Sequence, residues 1–192
     1  TNLAFAEDVK PLFNGKDLTG FKTAGNWVVE EDGTLAIKPR EGETGWKRYD
    51  AYLWAEQQYG DFVAEVEYKH PKGGNSGVFF RCADLADPVK TGLEVQILDS
   101  HGKPDDKMGH HDCGGVIRTA GPTKNASKPA GEWNHMKITA QGTKLKVELN
   151  GEQIIDIDLA ETDSKDKPLT GYFGLQDHGQ VMWFRNIKIK AL

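Results

Sequence analysis

Glu94 and Gln96 stand on a stretch, Gly92 to Asp99, in which Leu93, Val95 and Ile97 alternate with them. A strand with that pattern turns its aliphatic residues to a core and holds a carboxylate and an amide on the other face. A carboxylate on a rigid strand can take or give a proton, and an amide beside it can bind hydroxyls, so the pair suits acid–base chemistry on a hydroxyl-bearing molecule. Upstream, Gly73 to Arg81 reads as a second strand, with Phe79 and Arg81 on one face and Val78, Phe80 and Cys82 on the other. Asp61 to Lys69 reads as a third, with Glu65, Glu67 and Lys69 opposite Phe62, Ala64, Val66 and Tyr68. If the three are neighbours in one sheet, Glu65, Glu67, Arg81, Glu94 and Gln96 converge on one polar face. Arg81 is then expected to pair with Glu94, because an arginine on a mostly apolar strand is costly to bury alone.

The histidines give a second set of candidates. His110-His111-Asp112-Cys113 lies in a long Gly-, Asp- and Lys-rich loop starting at His101, and His178 lies in the short connection Asp177-His178-Gly179. Adjacent histidines without zinc-ligand spacing do not make a zinc motif, and Asp99, Asp105 and Asp106, the alternative calcium ligands, lack an EF-hand pattern. No metal and no cofactor are expected. His135 alternates with Trp133 and Lys137 on a strand and reads as structural.

The aromatics Trp46, Tyr49, Tyr52, Trp54 and Tyr59 follow no helical spacing. They are either core and rim residues or a platform for the C–H face of a pyranose. Trp46, between Gly45 and Lys47-Arg48, is the best candidate for exposure.

The elements needed to hold these residues are strands. Glu31-Asp32-Gly33 between Trp27 to Glu30 and Thr34 to Lys38 is a hairpin signal, and so is Asn150-Gly151 between Lys144 to Leu149 and Gln153 to Leu159. Further strands are read at Trp133 to Ala140, Tyr172 to Gln176 and Val181 to Lys190, with a short one at Gly115 to Arg118. Residues 1 to 26 read as an irregular arm anchored by Phe13, Leu18 and Phe21. About twelve short strands separated by Gly, Pro and Asn turns, with no helix beyond single turns, specify an all-β, two-sheet antiparallel sandwich. Val95 and Ile97 belong in its core and Glu94 on the opposite, concave side.

The chain's 192 residues fit one domain over 1–192, and its net charge of -5 with scattered lysines argues against nucleic acid as a partner. No apolar run reaches the roughly 20 residues of a membrane helix. Cys82 and Cys113 are the only cysteines, and they form either a disulfide or two unrelated thiols. Thr1 is not an initiator, so the expected form is a mature one, with a signal peptide removed and a periplasmic or extracellular location.

Several motifs occur together and in order: Leu12-Phe13-Asn14-Gly15-Lys16-Asp17-Leu18, Tyr59-Gly60-Asp61-Phe62, Asn75-Ser76-Gly77-Val78-Phe79-Phe80-Arg81, Glu94-Val95-Gln96-Ile97-Leu98-Asp99, Glu132-Trp133-Asn134, Leu149-Asn150-Gly151, Gly174-Leu175-Gln176-Asp177-His178-Gly179 and Phe184-Arg185-Asn186-Ile187. In this the chain resembles the 3-keto-disaccharide hydrolase family over nearly its whole length. Two departures are Phe21, where a Trp is usual, and the His110-to-Cys113 loop. The resemblance implies a concanavalin-like lectin/glucanase jelly roll, a 3-keto-sugar substrate and cleavage by C2 proton abstraction, elimination and hydration. On that footing the catalytic candidates are Glu94, Arg81, His111 and His178. The substrate-binding candidates are Asn75, Gln96, Gln176, Trp46 and Glu67. Two other readings stay open. One is a carbohydrate-binding module of the same fold, and the other a glycosidase using two carboxylates about 5 to 10 Å apart on unoxidised sugars.

Overall fold

A computed structural model of the chain describes residues 10–192, so residues 1–9 of the expected arm lie outside it. In order, the strands are β1 (Lys10–Pro11), β2 (Phe21–Lys22), β3 (Trp27–Val29), β4 (Leu35–Ile37), β5 (Leu53–Tyr59), β6 (Phe62–Lys69), β7 (Asn75–Cys82), β8 (Leu93–Leu98), β9 (Asn134–Gln141), β10 (Lys144–Leu149), β11 (Glu152–Asp158), β12 (Gly171–Leu175) and β13 (Met182–Ala191). One turn of α-helix, α1 (Pro88–Thr91), interrupts them before β8, capped by the Asp87 carboxylate, which accepts from Lys90 N.

The strands form two antiparallel sheets. The larger runs β11-β10-β9-β6-β13-β4-β3, with β1 against β13, and the smaller runs β2-β5-β12-β7-β8. Between them lies one core. Phe62, Ala64, Val66, Tyr68, Ile138 and Phe184 come from the larger sheet; Leu53, Val78, Phe80, Val95, Ile97 and Phe173 come from the smaller. This is the expected sandwich, with Val95 and Ile97 fully buried inside it. Phe13 and Phe21 are buried in the same core, and Leu18 packs against it.

A second apolar layer lies on the other face of the smaller sheet, where Tyr52, Trp54, Phe79 and Cys82 cluster. Cys82 therefore does not face the sandwich interior as its place in the alternation suggested. The pairing of β7 with β12 slips between Tyr172 and Gly174, and Arg81 there takes a φ of +53°, so a bulge shifts the alternation by one residue. Cys113 sits in the main core; both thiols are free and lie in different layers.

Three elements differ from the sequence reading. β6 belongs to the larger sheet, between β9 and β13, whereas β7 and β8 are neighbours in the smaller one. β5 was hidden by the exposed polar run Glu56-Gln57-Gln58 within it. Gly115 to Arg118 is not a strand of its own: Val116 makes single bridges to Val95 and Ala120, while Gln96 N donates to Gly115 O and Ile117 N to Glu94 O. The segment thus covers the edge of β8 and closes off its unpaired backbone groups.

Candidate active site

The open face of the smaller sheet carries two adjoining cavities, of about 220 Å³ and about 690 Å³, and Glu94 lines both. The smaller is also lined by Asn75, Gln96, His111, Gln176 and His178. Trp46, Val89, Ile117 and Arg118 are shared, and Tyr49, Phe79, Asp87, Lys90, Asp163 and Lys167 are among the residues that continue the wall of the larger. Trp46 is 37% exposed, as its setting in the sequence suggested. Its ring lies 6.0 Å from that of Tyr49, so an aromatic rim stands over a polar floor.

The floor follows from register. Gly77 pairs with Gln96 and Phe79 with Glu94 across β7 and β8, which brings Asn75, Gly77, Glu94 and Gln96 to one face. The Glu94 carboxyl folds over Gly77 so closely that a Cβ there would lie 2.2 Å from Oε1. Gln96 Nε2 donates to Asn75 Oδ1 at 3.0 Å, which fixes both amides. Gln176, just past β12, donates from Nε2 to Tyr52 Oη at 3.0 Å, and that hydroxyl donates to the Trp46 carbonyl at 2.7 Å.

Glu94 is only 9% exposed, and its Oε1 has no hydrogen-bond partner among the described residues; nor has Oε1 of Gln176. Burial without a partner pushes the Glu94 carboxyl up to about 8. Arg81 pairs with a carboxylate, as expected, but the carboxylate is that of Asp61 and not of Glu94. Arg81, 1% exposed, donates from Nε to Gly60 O (2.9 Å), from Nη1 to Gly142 O (2.7 Å) and from Nη2 to Asp61 Oδ1 (3.1 Å). Its left-handed backbone turns the guanidinium toward the β5–β6 and β9–β10 turns, where it ties the two sheets together, and it lines neither cavity.

Glu67 is likewise not in the site. It lies on the outer face of the larger sheet, accepting from Arg185 Nε at 2.6 Å and Asn186 Nδ2 at 2.9 Å, while Glu65 meets His135 Nε2 at 3.1 Å. The alternation placed both correctly on a polar face, but on the other sheet. Among the described residues, no three His, Cys, Asp or Glu side chains converge as a metal site would require.

Two loops bring the remaining groups. Arg48 Nη2 donates to the buried Asp177 Oδ1 at 2.9 Å, and Asp177 Oδ1 also accepts from Gly179 N at 2.7 Å. The pair joins the loop that carries Trp46 to the turn that carries His178. His110 Nδ1 accepts from Arg118 N at 3.0 Å, and the His110 ring lies against that of His111, with centroids 4.2 Å apart and planes inclined by 46°. Burial lowers the His110 pKa, with help from His111 and Arg118, consistent with a neutral ring accepting that bond.

Arg118 was not singled out in the sequence. It takes a φ of +58° at the tip of the segment covering β8 and puts a cation on both cavities. A bulky residue held in a left-handed conformation is a strained position that a functional site can use. Tyr52 was seen only as one of several aromatics; its role as the link between Gln176 and the Trp46 backbone depends on a contact across 124 residues.

Over residues 8–190 the sequence matches the 3-keto-alpha-glucoside-1,2-lyase-like domain family. The chain belongs to that family. It is 28% identical to a 3-keto-disaccharide hydrolase of Bacteroides thetaiotaomicron over 225 residues, covering 94% of this chain and 77% of that protein. A Parabacteroides distasonis protein of known structure, assigned by name to the glycosyl hydrolases, superposes with a TM-score of 0.77 at 31% identity, covering 96% of this chain and 100% of that one. A carbohydrate-binding module of Bacillus subtilis shares the fold, with a TM-score of 0.63 at 19% identity and coverage of 90% and 96%. Family and relatives together place the chain among carbohydrate-processing hydrolases.

Proposed function

We propose that the protein cleaves 3-keto-glycosides, 3-keto-disaccharides among them, with Glu94 as the base that removes the proton from C2. The observation that carries this reading is the buried Glu94 carboxyl, unpartnered at Oε1 and facing the small polar cavity. A ketone at C3 acidifies C2–H, so the electron pair of that bond can pass into an enolate. The enolate then expels the glycosidic oxygen from C1, leaving a C1=C2 double bond conjugated with the ketone. Water adds to C1, a proton returns to C2, and the sum is hydrolysis. A carboxylate in a dry pocket is a stronger base than one in water, because taking the proton relieves the cost of its buried charge.

His111 and His178, on the wall of the same cavity, are the candidates to protonate the departing oxygen. Arg118 is the candidate to stabilise the enolate, in the place the sequence reading gave to Arg81. Asn75, Gln96 and Gln176 present amides to the sugar hydroxyls. A binding module needs only the aromatic rim; the convergence of a carboxyl, two histidines and an arginine beneath that rim favours catalysis.

The test is cleavage in deuterated water of a 3-keto-glycoside and of its unoxidised parent. Cleavage of the keto compound alone, with deuterium at C2 of the released sugar above the level exchanged without enzyme, supports the elimination route. Glu94→Gln should lower kcat by about 10²-fold or more. Cleavage of both sugars with C2 hydrogen retained points to a two-carboxylate glycosidase and overturns the proposal.

A further inference from the structure

We infer that the larger cavity receives the leaving group and that its wall selects leaving groups bearing a carboxylate or another anion; the inference rests on Glu94 acting at C2. The two cavities meet at Glu94 and Arg118. The smaller, at about 220 Å³, falls below the roughly 300–1,000 Å³ of sites that take drug-sized ligands, which suits a single sugar ring. Its amides and histidines match hydroxyls. With C2 of that ring at Glu94, the neighbouring C1 and its substituent are directed across the junction into the larger cavity of about 690 Å³.

The wall of this second space is cationic. Four cations, Lys47, Lys90, Arg118 and Lys167, line it against three carboxyl groups, Asp87, Asp163 and, at the junction, Glu94, in a chain whose net charge is -5. Among the described residues neither Lys47, Lys90 nor Arg118 is in an ion pair. Lys167 is fixed in the wall by donating to the carbonyls of Val89 (2.9 Å) and Lys90 (2.6 Å). Asp87 accepts from Lys90 N at the start of α1 and keeps its charge; like Asp163 it is in no ion pair among the described residues. With Arg118 given to the enolate, Lys47, Lys90 and Lys167 still outnumber Asp87 and Asp163, so an anionic group on the leaving side would meet net positive charge, with the Tyr49 ring beside it for apolar contact.

The experiment compares two aryl 3-keto-glucosides, 4-carboxyphenyl and 4-carbamoylphenyl, which match in size and differ in charge. Each kcat/KM is divided by the rate of buffer-catalysed elimination, to remove leaving-group reactivity. The carboxylate should be preferred about tenfold at low ionic strength, and the preference should shrink in salt. Lys47→Gln/Lys90→Gln should bring the ratio toward one, and Asp163→Asn should raise it. Equal values for the two substrates in the unmodified protein, or a ratio unchanged in all three proteins, overturns the inference. Calorimetric binding of the two unoxidised glucosides separates this from the reading of Glu94. If neither keto compound is turned over, the base role fails. Tighter binding of the carboxylate that is lost in the double lysine variant would still support the anion-selecting wall, and equal binding would refute it.

Discussion

Glu94 and Arg81 show how far the type and spacing of single residues can be trusted. The alternation around Val95 gave the correct face for Glu94, because β8 is regular: Val95 and Ile97 enter the core while Glu94 and Gln96 line the small cavity. Arg81 was placed by the same rule and ended elsewhere, because a bulge with a left-handed residue breaks that period without leaving a glycine in the sequence to mark it. Its guanidinium satisfies two turn carbonyls and Asp61. Arg81→Met should consequently cost about 3 kcal/mol in chemical denaturation, since buried acceptors lose their donor. The folded fraction should keep its kcat; a stable but inactive Arg81→Met protein would return Arg81 to the chemistry. Gly77 works the other way. Gly77→Ala would drive a methyl into the Glu94 carboxyl, so kcat should fall at least tenfold with little loss of stability, as the carboxyl swings away from the substrate. Normal turnover by this variant would mean that the position of the carboxyl is not critical.

At the level of elements, the site depends on partners that no local pattern specifies. The sequence could offer the pairing of β7 with β8 only as a condition, since a connection carrying α1 separates them. That β6 crosses to the other sheet was not legible, since an alternating strand looks the same in either layer. The candidate histidines were found by type, but their convergence comes from loops held by distant contacts, such as Arg48 with Asp177, which are 129 residues apart. This pair latches the Trp46 loop to the His178 turn, and a buried aspartate deprived of its cation is costly. Arg48→Ala and Asp177→Asn should each raise KM about tenfold. Because both cut the same link, the double variant should be little worse than either single one, a coupling read from a double-mutant cycle. Additive effects on KM would show that the two residues act on the site separately.

Across the whole molecule, the two sheets manage their outer faces differently. The larger sheet covers its exterior with cross-strand ion pairs, including Lys137 with Glu148 and Glu67 with Arg185. The smaller sheet instead builds a second apolar layer and leaves a carboxyl buried beside it without a partner, an arrangement that costs stability. The consequence is a pH dependence of folding whose sign is fixed. The Glu94 carboxyl is raised from an ordinary 4.5 to about 8 in the folded state, so the unfolded chain gives up this proton first. Its contribution is fully present below pH 4.5 and is lost as pH rises through about 8, at up to about 1.4 kcal/mol per pH unit. Other groups also titrate in this range, but they cancel in a comparison with Glu94→Gln, whose amide cannot ionise. Denaturation of the two proteins should show Glu94→Gln gaining on the unmodified chain by about 3 kcal/mol between pH 5.5 and pH 8. A constant difference over that range would mean that Glu94 titrates as an ordinary carboxylate, and the strongly basic carboxylate on which the proposed C2 deprotonation relies would be lost with it.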